Sequence, residues 1–143
     1  MRGKAIATLV ASSRVDEAEL ETARLAGRWL LAFYASTPAY RPVLEVEGWG
    51  DLQPELNALT KAGRWDDMPG RIDDTMLSTL AAVGSPAEVA DDIVARFGGL
   101  ADRVGFYTPY LVADDTLGEL VDALRHADRP DIHDERPCDQ ERT

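Results

Sequence analysis

Cysteine is nearly absent from this 143-residue chain. The single one, Cys138, excludes an intrachain disulfide and a cysteine-based zinc site, and a reducing, cytoplasmic setting fits that usage best. Histidine is almost as scarce. His126 falls at an expected helix end and His133 in the tail, neither with a second ligand at metal spacing, so His126 is read as answering a helix dipole. No apolar run approaches the roughly twenty residues of a membrane span. Basic stripes are missing too. The 26 acidic and 15 basic residues leave a formal charge of -11, which repels phosphate backbones and anionic lipid heads and argues against nucleic acid and membrane surfaces as partners. There is also no nucleophile elbow, phosphate loop or dinucleotide fingerprint.

What is present suffices for one buried core, since 45% of the residues are apolar and the chain is too short for two ordinary domains. Arg2 and Lys4 ahead of Ala5 to Ala11 superficially resemble a signal peptide, but the run is short and broken by Thr8, so a buried strand over 4–11 is the plainer reading. Ser12, Ser13 and Arg14 supply the turn after it. Asp16, with Glu19 three positions on, predicts a capped helix to about Ala35, its apolar face built from Leu20, Ala23, Gly27, Leu30, Leu31 and Tyr34. Thr37-Pro38 and Arg41-Pro42 then predict a break and an irregular segment to about Gly50. Short helices are expected over Leu52 to Ala62 and around Ile72 to Leu77.

Leu80 to Val83 reads as a second strand, and Gly84-Ser85-Pro86-Ala87-Glu88 is the clearest local signal in the chain. Ser85 suits a helix cap, Pro86 the first helical position, and Glu88 the return half of a capping box. Val89, Ile93 and Phe97 mark that helix's apolar stripe before Gly98-Gly99 ends it. Val104, Phe106 and Tyr107 read as a third strand, and a last helix starts at Asp114, Asp115 or Thr116. Residues 128–143 are charged and almost without apolar residues, which predicts a disordered tail. Three βα units imply parallel strands, and a small sheet with two open edges implies a homodimer or a complementing chain.

The run from Ala32 to Leu44, with Thr37-Pro38 and Tyr40-Arg41-Pro42 inside it, is followed by Gly48-Trp49, Ile72-Asp73-Asp74 and Ala82-Val83-Gly84-Ser85-Pro86-Ala87-Glu88-Val89. Asp102-Arg103-Val104, Tyr107 and Pro109-Tyr110 continue the series. This ordered set resembles the C-terminal portion of luciferase-like monooxygenases, in the class that depends on coenzyme F420. The resemblance implies an α/β chain that is a partial (β/α)8 TIM barrel: three C-terminal βα units over residues 1–127, with a helical insertion at about 36–78. It further implies F420 or FMN as cofactor and a small-molecule substrate. A complete barrel takes about 250 residues. The earlier strands and their glycine-rich phosphate segment have no counterpart here, so the chain is expected to be incompetent alone.

In a barrel, chemistry gathers after the C-terminal ends of strands. That rule, on the resemblance, makes Ser12, Ser13, Gly84, Ser85 and Tyr107 candidates for holding the cofactor and Tyr110 a candidate for substrate. Tyr40, Arg41 and Trp49, in the insertion, are further substrate candidates. Each has a plainer reading: turn or cap for the serines, packing for the tyrosines, core or subunit contact for the insertion residues. The acidic pairs Asp66-Asp67, Asp73-Asp74, Asp91-Asp92 and Asp114-Asp115 read as caps and solvated faces. Two functions from different classes follow: part of a flavin- or deazaflavin-dependent oxidoreductase, or a non-catalytic remnant of that fold that self-associates or binds a partner.

Overall fold

The computed structural model describes residues 8–12, 16–101 and 103–127, the first of these segments through its backbone. The elements in chain order are β1 (Thr8–Ser12), α1 (Glu17–Ala35), α2 (Arg41–Val46), α3 (Leu52–Lys61), α4 (Asp74–Leu80), β2 (Ala81–Gly84), α5 (Pro86–Phe97), β3 (Phe106–Tyr107) and α6 (Asp114–Ala127). Turns of 3-10 helix at Pro38–Tyr40, Trp65–Asp67 and Pro69–Arg71 fill the gaps between α1 and α4. The expected disorder of 128–143 falls outside the described residues.

Short polar side chains start the helices where the sequence places them. Asp16 accepts a hydrogen bond from the Glu19 amide at 2.8 Å, and Asp73 accepts one from the Met76 amide at 2.8 Å. Each bond satisfies one of the amides that a helix start leaves without an intrahelical partner. The expected break after Thr37 is different in kind. Pro38 opens a 3-10 turn and Pro42 sits in the first turn of α2, where a missing N–H costs nothing, so the two prolines begin helical turns as well as ending α1.

The strands are parallel, in the order β2-β1-β3. Leu9 pairs with Ala81 on one side and Tyr107 on the other, and Ser12 pairs with Gly84. A barrel segment would lay its strands in consecutive order with every helix on the outer face. The described strands are not in that order and are covered on both faces, so the barrel that the resemblance implies is not displayed by the described residues. Ala81, with Val83 beside it, packs towards Leu77, Leu56 and Ala32 of α4, α3 and α1, whereas Ala82 packs with Val89, Ala90, Ile93 and Leu120 of α5 and α6. Alternate residues of β2 thus point to opposite cores. The physical reason is that three strands cannot close on themselves, and an open parallel sheet must be covered on both faces.

The insertion is not a satellite. Leu44, Leu52, Leu56, Leu59, Met68 and Ile72 form one cluster with Ala32 and Ala35 of α1. Two amides tie it to the end of that helix: Gln53 Nε2 and Asn57 Nδ2 both donate to the Ser36 carbonyl, at 3.0 and 3.1 Å. The junction of α4 with β2 is closed from the far side by Arg96 of α5. It donates to the carbonyls of Thr79, Ser78 and Ala81 at 2.8, 2.5 and 3.2 Å while pairing with Asp92 at 2.8 Å. One planar guanidinium thereby satisfies the carbonyls that α4 leaves bare at its C-terminus.

Candidate functional site

At the carboxyl edge of the sheet, Ser12 and Gly84 are register partners and Ser85 follows at once. Ser13 and Arg14 lie outside the described residues. Gly84 has φ +145°, a conformation suited to glycine, and a Cβ there would stand 2.7 Å from Glu88 Oε2. The cause is the capping box of α5: the Ser85 amide donates to Glu88 Oε2 at 2.8 Å, and the Glu88 amide donates to Ser85 Oγ at 3.4 Å. The bond from the Ser85 amide, then the Ser85 hydroxyl, holds the Glu88 carboxyl below its ordinary range, and the Arg24 charge adds to this. The amide and hydroxyl of Ser85, a candidate for holding the cofactor, are therefore engaged within the chain's own capping box.

Beside this edge, Glu21 and Arg24 of α1, Asp74, Leu77 and Ser78 of α4, and Val83 of β2 line a cleft of about 420 Å³. Sequence reasoning missed these residues as a site, because each lies within a helical or strand pattern and only the crossing of α1 over α4 brings them together. Arg24 Nη1 pairs with Glu17 at 2.7 Å and with Glu21 at 2.5 Å, and Arg28 Nη2 pairs with Asp74. Both guanidiniums are thus engaged by carboxylates of the chain. Arg28 Nε is buried without a partner among the described residues.

The aromatic candidates gather elsewhere. Tyr107 is level with Leu9, three residues below the Ser12–Gly84 pair, or about 10 Å at the rise of a strand. It sits against Tyr34 at the C-terminal end of α1. Charge repulsion from Tyr107, then a hydrogen bond with it, pushes the Tyr34 phenol above its ordinary value. The Tyr34 ring meets Tyr40 edge-on at 5.4 Å and Phe33 at 5.9 Å. The structure therefore brings Tyr40 and Tyr107 together through Tyr34, which the sequence assigns only to a helical apolar face.

Arg41, Trp49 and Tyr110 are the remaining candidates. Arg41 pairs with Glu45 at 2.8 Å on α2, as i,i+4 neighbours on a helix do. Trp49 packs against the core cluster of α1 and α3, the plainer of its two readings. Tyr110 is half-buried in the loop after β3. A groove of about 280 Å³, lined by residues including Val94, Phe97, Val104 and Leu124, with Arg103 and Arg125, lies near the opposite end of α5 from Ser85. Among the described residues no group of three or more histidine, cysteine or carboxylate side chains is placed to hold a metal. No helix among them is long and apolar enough to cross a membrane.

A dinucleotide-sized or flavin-sized cofactor needs donors for its phosphate and a wall for its ring. The described residues offer neither in one place: the Ser85 amide faces Glu88 and the Glu88 amide faces Ser85 Oγ, Arg24 and Arg28 face carboxylates, and Tyr34, Tyr40 and Tyr107 gather at the other end of the sheet. The residues present do not fit such a group by themselves.

The sequence pattern of luciferase-like monooxygenases matches residues 4–103, which takes in β1 through α5. Uncharacterized proteins of Mycobacterium bovis and of two strains of Mycobacterium tuberculosis are 49% identical to the chain over 96 residues. That stretch is 67% of this chain and 28% of each relative, so the chain spans little more than a quarter of the length of the curated relatives it matches. No solved structure matches it. With a match across more than two-thirds of its length, the chain belongs to the luciferase-like monooxygenase family.

Proposed function

We propose that this chain is one part of a luciferase-like oxidoreductase, cytoplasmic and dependent on F420 or FMN, and that it binds neither cofactor until further strands complete the sheet. Members of the family commonly use flavin or F420, which carries the hydride or activates oxygen while the protein positions it. The observation that carries the reading is the pairing of a family match over β1 to α5 with a carboxyl edge where the Ser85 amide is already engaged by Glu88. In the completed enzyme the three βα units take consecutive places near the C-terminal end of a (β/α)8 barrel, and residues 1–127 act as one unit with 36–78 inserted. The carboxyl-edge residues Ser12, Gly84 and Ser85 then face the pocket, as chemistry in such barrels does. Tyr107 joins them once β3 moves to the free side of β2, with Tyr110 following it towards the substrate. A second reading, a non-catalytic domain that binds its own kind or a partner, is favoured by the exposed rings along α1.

A fluorescence titration of the purified chain with F420, and separately with FMN, tests the proposal. No saturable change is expected into the high micromolar range. The same chain mixed with the remaining three-quarters of the Mycobacterium tuberculosis relative is expected to bind one of the two. Saturable binding by the chain alone would refute the claim of incompleteness, and failure of both arms would favour the non-catalytic reading.

A further inference from the structure

We propose that the outer face of α1 is an isologous interface between two copies of this chain. A surface helix normally turns charge to the solvent. On α1 the charged residues Glu17, Glu21, Arg24 and Arg28 lie together on one flank and Glu19 on the other, while Ala18, Thr22, Leu25, Trp29 and Phe33 form an exposed stripe without charge. In a chain that is 29% charged, about four turns of neutral surface call for a cover. Leu25 is 56% exposed, Trp29 44% and Phe33 42%, and Trp65, itself 38% exposed, leans on Phe33 at 6.4 Å to widen the ledge. The Trp29 and Phe33 rings lie parallel within 7° at 6.1 Å, a flat surface already set for packing.

The spacing is self-complementary. Leu25 and Phe33 each stand four residues from Trp29, so a twofold axis through Trp29 places Trp29 on its mate and Leu25 of each copy against Phe33 and Trp65 of the other. The area is sufficient. Taking roughly 150–250 Å² for a whole aromatic side chain, the bare fractions of these four residues leave on the order of 350 Å² of apolar surface per copy. At an apolar share of about 60%, that corresponds to about 1,200 Å² in total, the lower end of specific interfaces. A weak, reversible dimer is the expectation, to be sought in the micromolar range. Because each copy carries -11, salt strengthens this dimer by screening repulsion, the reverse of its effect on a pair held by opposite charges.

Sedimentation equilibrium of the full chain from a few to a few hundred micromolar, at low and at moderate salt, tests the proposal independently of any cofactor. A reversible dimer tightened by salt is expected. Trp29→Glu is expected to weaken it at least about thirtyfold, the effect of losing a central aromatic anchor, with an unchanged far-ultraviolet spectrum. Should Trp29→Glu fail to fold, Leu25→Glu on the same stripe serves in its place. A wild-type chain that stays monomeric, or a dimer that both variants leave intact, would overturn the assignment, the latter by placing the contact on another surface. Dissociation into a one-to-one complex when the remainder of the relative is added, with Trp29→Glu impairing that complex, would assign the face to the missing chain instead and overturn the proposal too.

Discussion

Replacing Gly84 with alanine perturbs the carboxyl edge through two separable effects. The first is backbone: φ is +145°, and holding a side-chain-bearing residue in such a sparsely populated region costs about 1–3 kcal/mol. The second is contact. The new Cβ would lie 2.7 Å from Glu88 Oε2 and 3.0 Å from Glu88 Cβ, so the carboxylate must leave the Ser85 amide and the capping box opens. Losing a cap costs about 1 kcal/mol. Alanine also restricts the unfolded chain, which returns about 0.4–1 kcal/mol. The net expectation is a loss of about 1–3.5 kcal/mol, centred near 2, which lowers Tm by roughly 3–12 °C in a domain of this size.

Urea unfolding followed by circular dichroism measures this directly, with two controls that give the number meaning. Ser85→Ala removes one side of the box and no backbone conformation, so about 1 kcal/mol is expected. Gly118→Ala, in the middle of α6 where a Cβ meets nothing within 4 Å and φ is not positive, should instead stabilise by about 0.5–1 kcal/mol. In the double variant Gly84→Ala with Glu88→Gln, the second change is expected to add almost nothing, because the first has already displaced the carboxylate. A Gly84→Ala loss under about 0.5 kcal/mol would refute the reasoning, since neither the left-handed backbone nor the contact could then be real. So would full additivity in the double variant.

Three further expectations rest on single side chains. Arg96→Ala should cost about 2–3 kcal/mol in the same assay, because it leaves the Ser78, Thr79 and Ala81 carbonyls without their donor. Arg96→Lys should recover less than half of that, lacking the fork that reaches all three; full recovery would contradict the account. Glu88 has a lowered folded pKa, so its contribution is present above about pH 4.3, the ordinary glutamate value, and is lost as pH falls through the lower folded value. Carbon-detected NMR should place its midpoint below that ordinary value, and the stability gap between wild type and Glu88→Gln should close in the same acidic window; a midpoint at or above it would sink the assignment. Hydrogen exchange should protect the Phe106 and Tyr107 amides far less than those of β2, since β3 is held by two register pairs against four. Equal protection would show a longer strand than the one described.

Local chemistry was the legible part. The Asp16 cap, the Ser85 and Glu88 box with Pro86 behind it, and the Val89–Ile93–Phe97 stripe each depend on residues within one or two turns, where spacing alone decides geometry. Two prolines misled for the same reason in reverse. Pro38 and Pro42 forbid a continuing helix but not a new one, and a local rule cannot say which follows. The cleft of Glu21, Arg24, Asp74 and Ser78 lay beyond any local rule. It exists because Gly27 lets α1 approach α4 closely, with Leu77 Cδ1 3.2 Å from where a Cβ would be, and nothing in the spacing of those residues announces the crossing.

Strand order was the other illegible feature, and its cause bears on function. A parallel strand buried on both faces reads as a short apolar run whatever its neighbours, so sequence supplies the strands of this sheet but not their sequence across it. Once β2 has taken one side of β1, the other side is a row of unpaired amides and carbonyls, and an uncovered edge of that kind recruits whatever extended segment can reach it. Here that segment is Phe106–Tyr107, which reaches only the Thr8–Leu9 half of β1. The same edge in a complete barrel belongs to the strand that precedes β1. A two-residue pairing is weakly held, so a preceding strand would displace β3 from β1 and free it to pair with β2. That exchange would carry Tyr107 away from Tyr34 and, in consecutive barrel order, towards the edge where Gly84 and Ser85 stand. On the proposed function, the stretch of β1 above Leu9, which has no partner on the β3 side among the described residues, is what a completing chain would grip first.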